Sequence, residues 1–169
     1  MTHDATLRLA SADDAEALVA LVKSVAIEGR WIRTQWPFDE AERVERFANT
    51  IGNARVLCVV AERAEKIVGQ ITLFPADDVA ELGMFVEGAE RGRGLGRRLL
   101  EAGEALAREN GFASIELEVY AHNEAAMALY RGAGFEPFDD RYPELRASGE
   151  TYEVVRMRKV MSEPSTGLG

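Results

Sequence analysis

The segment Ala80-Glu-Leu-Gly-Met-Phe-Val86, followed by Glu90-Arg-Gly-Arg-Gly-Leu-Gly-Arg-Arg98, decides the fold. The first part reads as a strand. The second reads as a turn running straight into a helix over 94–109, because Leu95, Leu99, Ala102 and Leu106 recur at helical spacing before Asn110-Gly111 closes the run. Another strand follows at 114–120, where Ile115, Leu117 and Val119 alternate with Glu116 and Glu118. A strand–helix–strand crossover of this length predicts parallel pairing between the two strands.

Outward from this unit the pattern stays regular. Runs at 55–62 and 66–74 are rich in β-formers and joined by a short polar turn, which predicts an antiparallel hairpin. The turn at 75–78 leads back to strand 80–86. On the N-terminal side, Thr6-Leu-Arg-Leu9 alternates as a short strand. Ser11 with Asp14 three residues on opens a helix over 12–28, with Leu18, Val22 and Val25 on one face. Asp39 with Glu42 opens a second helix, striped by Val44, Phe47 and Ile51 and ended by Gly52. Asn123 caps a short helix to Gly132 that carries Ala126, Met127 and Tyr130, and a last strand covers 152–158. The order β-α-α-β-β-β-α-β-α-β-β predicts an α/β fold, a mixed and mostly antiparallel sheet with helices on both faces.

A length of 169 residues suits a single domain, over 1–161, with a low-complexity end at 162–169 expected to fray. Apolar residues make up 47% and charged residues 29%, a globular composition. Acidic residues outnumber basic ones 29 to 20, and the net charge of −9 argues against a broad nucleic-acid interface. That balance suits a cationic acceptor as well as plain solvated carboxylates. Cys58 is the only cysteine, so neither an intrachain disulfide nor a multi-cysteine metal site can form. No apolar run nears the ~20 residues of a membrane span, and residues 1–10 lack a secretory signal, so a cytoplasmic location without membrane attachment is expected.

The turn itself carries chemistry. Gly92, Gly94 and Gly96 let backbone approach a ligand, and the helix behind them offers unpaired N–H groups and a positive dipole end. Arg91, Arg93, Arg97 and Arg98 crowd the same place in an otherwise acidic chain. This predicts an anion site suited to a pyrophosphate, against the plainer reading of a surface turn with solvated arginines. The Gly-Lys-Ser/Thr of a Walker A loop is absent. A dinucleotide fingerprint would need glycine where Arg97 stands.

With these residues in view, the run from Ala80 through Arg91-Gly-Arg-Gly-Leu-Gly96 resembles the acetyl-CoA signature of GCN5-related N-acetyltransferases, Gln/Arg-x-x-Gly-x-Gly/Ala. Arg91, Gly94 and Gly96 match it position by position. The block from Ile115 to Tyr120 and from Asn123 through Leu129-Tyr130-Arg-Gly-Ala-Gly-Phe135 is similar to that family's later motif. The resemblance covers roughly 80–138 in its motifs and suits the strand order over about 4–160; 29–38, where such enzymes shape the acceptor site, has no clear counterpart. It implies an N-acetyltransferase that moves acetyl from acetyl-CoA to a primary amine by direct attack in a ternary complex, without a metal. It also implies a sheet splayed at the cofactor cleft. Backbone groups of Met84, Phe85 and Val86 would pair with the pantetheine arm, and amides from Arg91 to Arg97, across Gly92, Arg93, Gly94, Leu95 and Gly96, would hold the pyrophosphate. Asn123 would touch the pantetheine or orient the acceptor, a role compatible with its helix cap. Tyr130 would be the general acid: a phenol of pKa ~10 can protonate a leaving thiolate whose acid form lies near ~8.5. For the base, Glu81, Glu118 acting through a water, and ordered water alone all stand open. Many relatives pair, so a homodimer is expected.

Other readings stay beside this one. A domain of the same fold could hold acyl-CoA as a sensor without catalysis, and a nucleotide-dependent enzyme could use the glycine turn differently. His3 and His122 lack partners at metal spacing and read as structural or solvent-facing. Cys58, among Val56, Leu57, Val59 and Val60, reads as a small buried apolar residue. Trp31, Trp36 and Phe38 read either as core or as an aromatic wall of the acceptor site.

Overall fold

The computed structural model describes residues 4–162. His3 and residues 163–169 of the expected tail lie outside them. The described strands are β1 (Thr6–Leu9), β2 (Leu57–Arg63), β3 (Lys66–Ala76), β4 (Val79–Val86), β5 (Ser114–Tyr120), β6 (Glu136–Pro137), β7 (Tyr142–Leu145) and β8 (Thr151–Val160). The helices are α1 (Ala15–Ala26), α2 (Glu40–Gly52), α3 (Leu95–Glu109) and α4 (Glu124–Gly132). One sheet runs β1-β2-β3-β4-β5-β8-β6, with β7 also on β8. The β4–β5 ladder is parallel and the others are antiparallel. The mixed α/β fold expected from the pattern is therefore present, with one more short strand near the C-terminal end than the pattern predicts. Pro137 and Pro143 sit in β6 and β7, too brief to produce a readable alternation.

Helices cover both faces. On one, Leu95, Leu99 and Ala107 of α3 pack with Val59, Ala61, Ile71, Leu73, Ile115 and Leu117. On the other, Leu18 and Leu21 of α1 pack with Cys58, Val60 and Ile67. Strict alternation along β3 would put Ile67 and Ile71 on one face. The register slips opposite Ala61 and Glu62, skipping Val68, so Ile67 meets α1 while Val68 and Ile71 turn to α3. The helix α3 lies close on β3 because position 103 has no side chain: a Cβ there would fall 2.6 Å from Ile71 Cδ1.

Caps account for the boundaries. Asp39 accepts the Glu42 amide at 2.9 Å and opens α2. Asp14 accepts the Ser11 amide at 2.8 Å, and a single 3₁₀ turn over 12–14 precedes α1 instead of continuous α-helix. Arg8 grips both oxygens of Asp14 and also Glu62, tying β1, the start of α1 and β2 together.

Candidate active site

The β4–β5 ladder is short. Val79 faces Ser114 and the pairing ends with Leu82 opposite Leu117. Past that point β4 stays paired with β3 out to Val86, and β5 with β8 out to Tyr120. The strands have therefore parted, leaving Met84, Phe85 and Val86 without a strand neighbour on the side that faces β5. A cavity of about 1240 Å³ fills the gap, lined by those three residues, by the glycine turn, and by Glu81, Glu118, Asn123 and Tyr130.

The turn forms as its glycines require. Gly92 and Gly94 have φ of +75° and +81°, which a side chain would strain. The first intrahelical bond of α3 runs from the Arg98 amide to the Gly94 carbonyl at 3.2 Å. The amides of Leu95, Gly96 and Arg97 thus stand at the helix mouth without intrahelical partners, as an anion receptor demands. Arg91, Gly92, Gly94, Gly96 and Arg97 line the cavity. The other two residues expected there, Arg93 and Leu95, border a smaller cleft near Ala5 and Arg98 instead, and Leu95 is packed into the core. The Arg91 side chain turns back onto the protein: it forms two 2.8 Å bonds to the Glu28 carboxylate and one of 3.2 Å to the Val86 carbonyl.

Asn123 accepts the Ala126 amide at 3.2 Å and caps α4. That cap aims the helix so that Tyr130 reaches the cavity with its ring edge-on to Phe135. Tyr130 is buried, its hydroxyl has no protein partner among the described residues, and burial pushes its ionisation well above the ordinary tyrosine range. It therefore remains a protonated phenol at neutral pH.

The two glutamates differ. Glu118 is occupied: one oxygen pairs with Arg33 and the other accepts the Tyr142 hydroxyl at 2.8 Å. Glu81 borders the cavity and is exposed, and its carboxylate has neither ion pair nor hydrogen bond among the described residues.

Sequence reasoning missed an ionic and aromatic cluster at the far end of the cleft. Arg33 bridges Glu118 and Glu144. The other oxygen of Glu144 accepts the Tyr120 hydroxyl at 2.5 Å, and buried Arg146 bonds both that hydroxyl and the Arg33 carbonyl. Burial pushes the Glu144 carboxyl upward, but the bonds from Tyr120 and Arg33 outweigh it and hold the group below the usual carboxylate range. His122, expected to be structural or solvent-facing, lines the cavity. Its Nε2 lies 2.7 Å from the Arg30 carbonyl, an acceptor only, so the hydrogen is assigned to that nitrogen. The imidazole stacks on Tyr120 and meets Tyr152 edge-on. Trp31 lines the cavity, whereas Trp36 and Phe38 pack against each other and under Lys23 and Arg43. Of the two readings of these aromatics, the wall fits Trp31 alone.

A sheet opened beside a glycine turn and a helix mouth leaves room for a long phosphate-bearing ligand between two strands. Residues 25–135 match the model of the acetyltransferase (GNAT) family, and the chain belongs to that family. It is 28% identical over 136 residues to the putative phosphinothricin acetyltransferase YwnH of Bacillus subtilis (strain 168), spanning 77% of this chain and 83% of that one. It is 40% identical over 80 residues to the N-alpha-acetyltransferase RimI of Mycobacterium tuberculosis, spanning 47% and 48%. The crystal structure of a ribosomal-protein-alanine N-acetyltransferase from Brucella melitensis superposes with a TM-score of 0.82 at 26% identity, over 92% of this chain and 99% of that one. The protein is an acetyl-CoA-dependent acetyltransferase. Its residues fit that cosubstrate: free strand edge for the pantetheine arm, and free helix-mouth amides for the diphosphate. Among the described residues no group of three or more His, Cys, Asp or Glu side chains could hold a metal, and no helix is long and apolar enough to cross a membrane.

Proposed function

We propose that the chain acetylates a primary amine through a ternary complex, with Tyr130 as general acid and Glu81 as the carboxylate that receives the amine proton, directly or through water. The observation that carries this reading is the placement of an unpartnered, protonated phenol on the rim of the cleft where β4 and β5 part. The neutral amine attacks the thioester carbonyl and forms the C–N bond. The tetrahedral intermediate then expels the thiolate, and Tyr130 supplies that sulfur with its proton and recovers one from solvent. Backbone amides near Phe85 stabilise the oxyanion. Asn123, at the cavity wall, touches the pantetheine or orients the acceptor while its side chain caps α4. Glu118 is a poorer base than Glu81, because both its oxygens are engaged.

Residues 1–161 act as one catalytic domain in this reading, in the cytoplasm and as a homodimer. The acceptor is a protein N-terminus, a lysine or a small amine; overall acidity mildly favours a cationic one. Thiol release from acetyl-CoA, screened across these amine classes, tests the assignment. Turnover with one class and its loss in Tyr130→Phe is the expected result; coenzyme binding with no thiol release from any amine overturns it.

A further inference from the structure

We propose that Glu28 is a positioning residue that couples the coenzyme turn to the acceptor wall, so that seating the diphosphate sets the orientation of Trp31. The proposal rests on the reading above, in which the turn holds coenzyme A and Trp31 faces the acceptor. Glu28 follows the C-terminal end of α1, and its carboxylate has three donors. Arg91 delivers Nη1 and Nη2 to the two oxygens at 2.8 Å each, the planar fork-to-fork geometry that holds best. Trp31 Nε1 donates to the same carboxylate at 2.7 Å. Arg91 also reaches the Val86 carbonyl at 3.2 Å and lies 5.8 Å from the Trp31 ring centre. One carboxylate therefore touches the first arginine of the phosphate turn, and through it the last residue of β4, and the indole that lines the cavity.

The loop around Trp31 is fixed on its opposite side. Tyr152 donates to the Gly29 carbonyl at 3.4 Å and His122 to that of Arg30 at 2.7 Å. With its backbone tethered there, the loop transmits a change at Arg91 through the Trp31 side chain. An isolated ion pair of this exposure would contribute little. Two forked bonds plus an indole bond on one carboxylate instead give a defined mechanical link. Linkage makes it reciprocal: the factor by which bound coenzyme A changes acceptor affinity is the factor by which bound acceptor changes coenzyme A affinity.

The chain has two tryptophans, so Trp36→Phe leaves Trp31 as the sole indole reporter. Coenzyme A is titrated into this variant by emission and by calorimetry. The expected result is an emission change whose midpoint matches the calorimetric one. With Glu28→Ala added, calorimetric affinity stays within roughly tenfold while the emission change collapses. Glu28→Gln, which keeps an oxygen for Trp31 but one fewer for Arg91, falls between the two. A full emission response in the Glu28→Ala background overturns the proposal. So does a silent Trp31 in the Trp36→Phe variant when calorimetry shows binding. Absence of binding heat in the unmodified chain would instead remove the coenzyme site, and this coupling with it. Should Glu28→Ala melt early by circular dichroism, Glu28→Gln carries the comparison: a response equal to that of the parent overturns the coupling.

Discussion

Leu82 and Leu117 are the last facing pair of the parallel ladder between β4 and β5. Each strand continues beyond them, held only from its outer side by β3 or β8. The cleft is therefore made by where a ladder stops, and the candidate catalytic side chains Glu81, Glu118 and Tyr130 line it. Four expectations follow from this arrangement.

Tyr130→Phe removes one hydroxyl and leaves the ring against Phe135. Single-turnover acetyl transfer should slow by about 10² or more, with coenzyme affinity and melting temperature nearly unchanged. Rapid-quench kinetics on the purified variant measures the step.

Gly94→Ala forces a side chain onto φ +81° at the cap of α3. A strain of about 1–2 kcal/mol should either distort the turn or lower stability. Calorimetric titration with coenzyme A should show weakened binding, and denaturant unfolding a reduced midpoint.

Glu81→Gln and Glu118→Gln should separate by type of defect. The first should lower the single-turnover rate of acetyl transfer and leave acceptor KM nearly unchanged. The second breaks the pairing with Arg33 and Tyr142, worth about 1 kcal/mol at this partial exposure, and should raise the acceptor KM and lower stability with a smaller effect on chemistry. Single-turnover rates and acceptor KM, measured on both variants, distinguish them.

Acid should loosen the fold through three carboxylates. Hydrogen bonds from Arg8 hold Asp14 below its usual range, and bonds from Arg91 and Trp31 do the same for Glu28. For Glu144, bonds from Tyr120 and Arg33 prevail over its burial. A depressed folded-state pKa gives stability that is fully present above the unfolded value of about 4 and is lost as pH falls through the folded one. Urea midpoints should hold from pH 7 to about 5 and fall below about 4. Glu28→Gln should flatten part of that fall.

The crossover from β4 through α3 to β5 was legible because everything in it is local: helical spacing, alternation, and glycines next to arginines. Gly94, Tyr130 and Asn123 came with it, because motif and cap lie on single elements. The far end of the cleft was not legible. Arg33 meets Glu118 and Glu144 across 85 and 111 residues, and Arg146 meets the Arg33 carbonyl across 113. No spacing rule links such positions; only the sheet order does. The reversal of Arg91 onto Glu28 was hidden for the same reason, since 63 residues separate them.

The two ends of the cleft are thus drawn from different portions of the polypeptide. The glycine-turn end comes from one contiguous stretch, β4 to α4, whereas the opposite end joins Glu118, Tyr120 and His122 to the segment after α1, with the β7–β8 hairpin behind them. Because Glu28 ties Trp31 to Arg91 of the glycine turn, a substitution in the segment after α1 should be felt at both ends of the cleft. Exchange of β7 and the turn that follows it, which brace Arg33 from outside the cavity, leaves those contacts in place and is the route by which the far end can diverge alone.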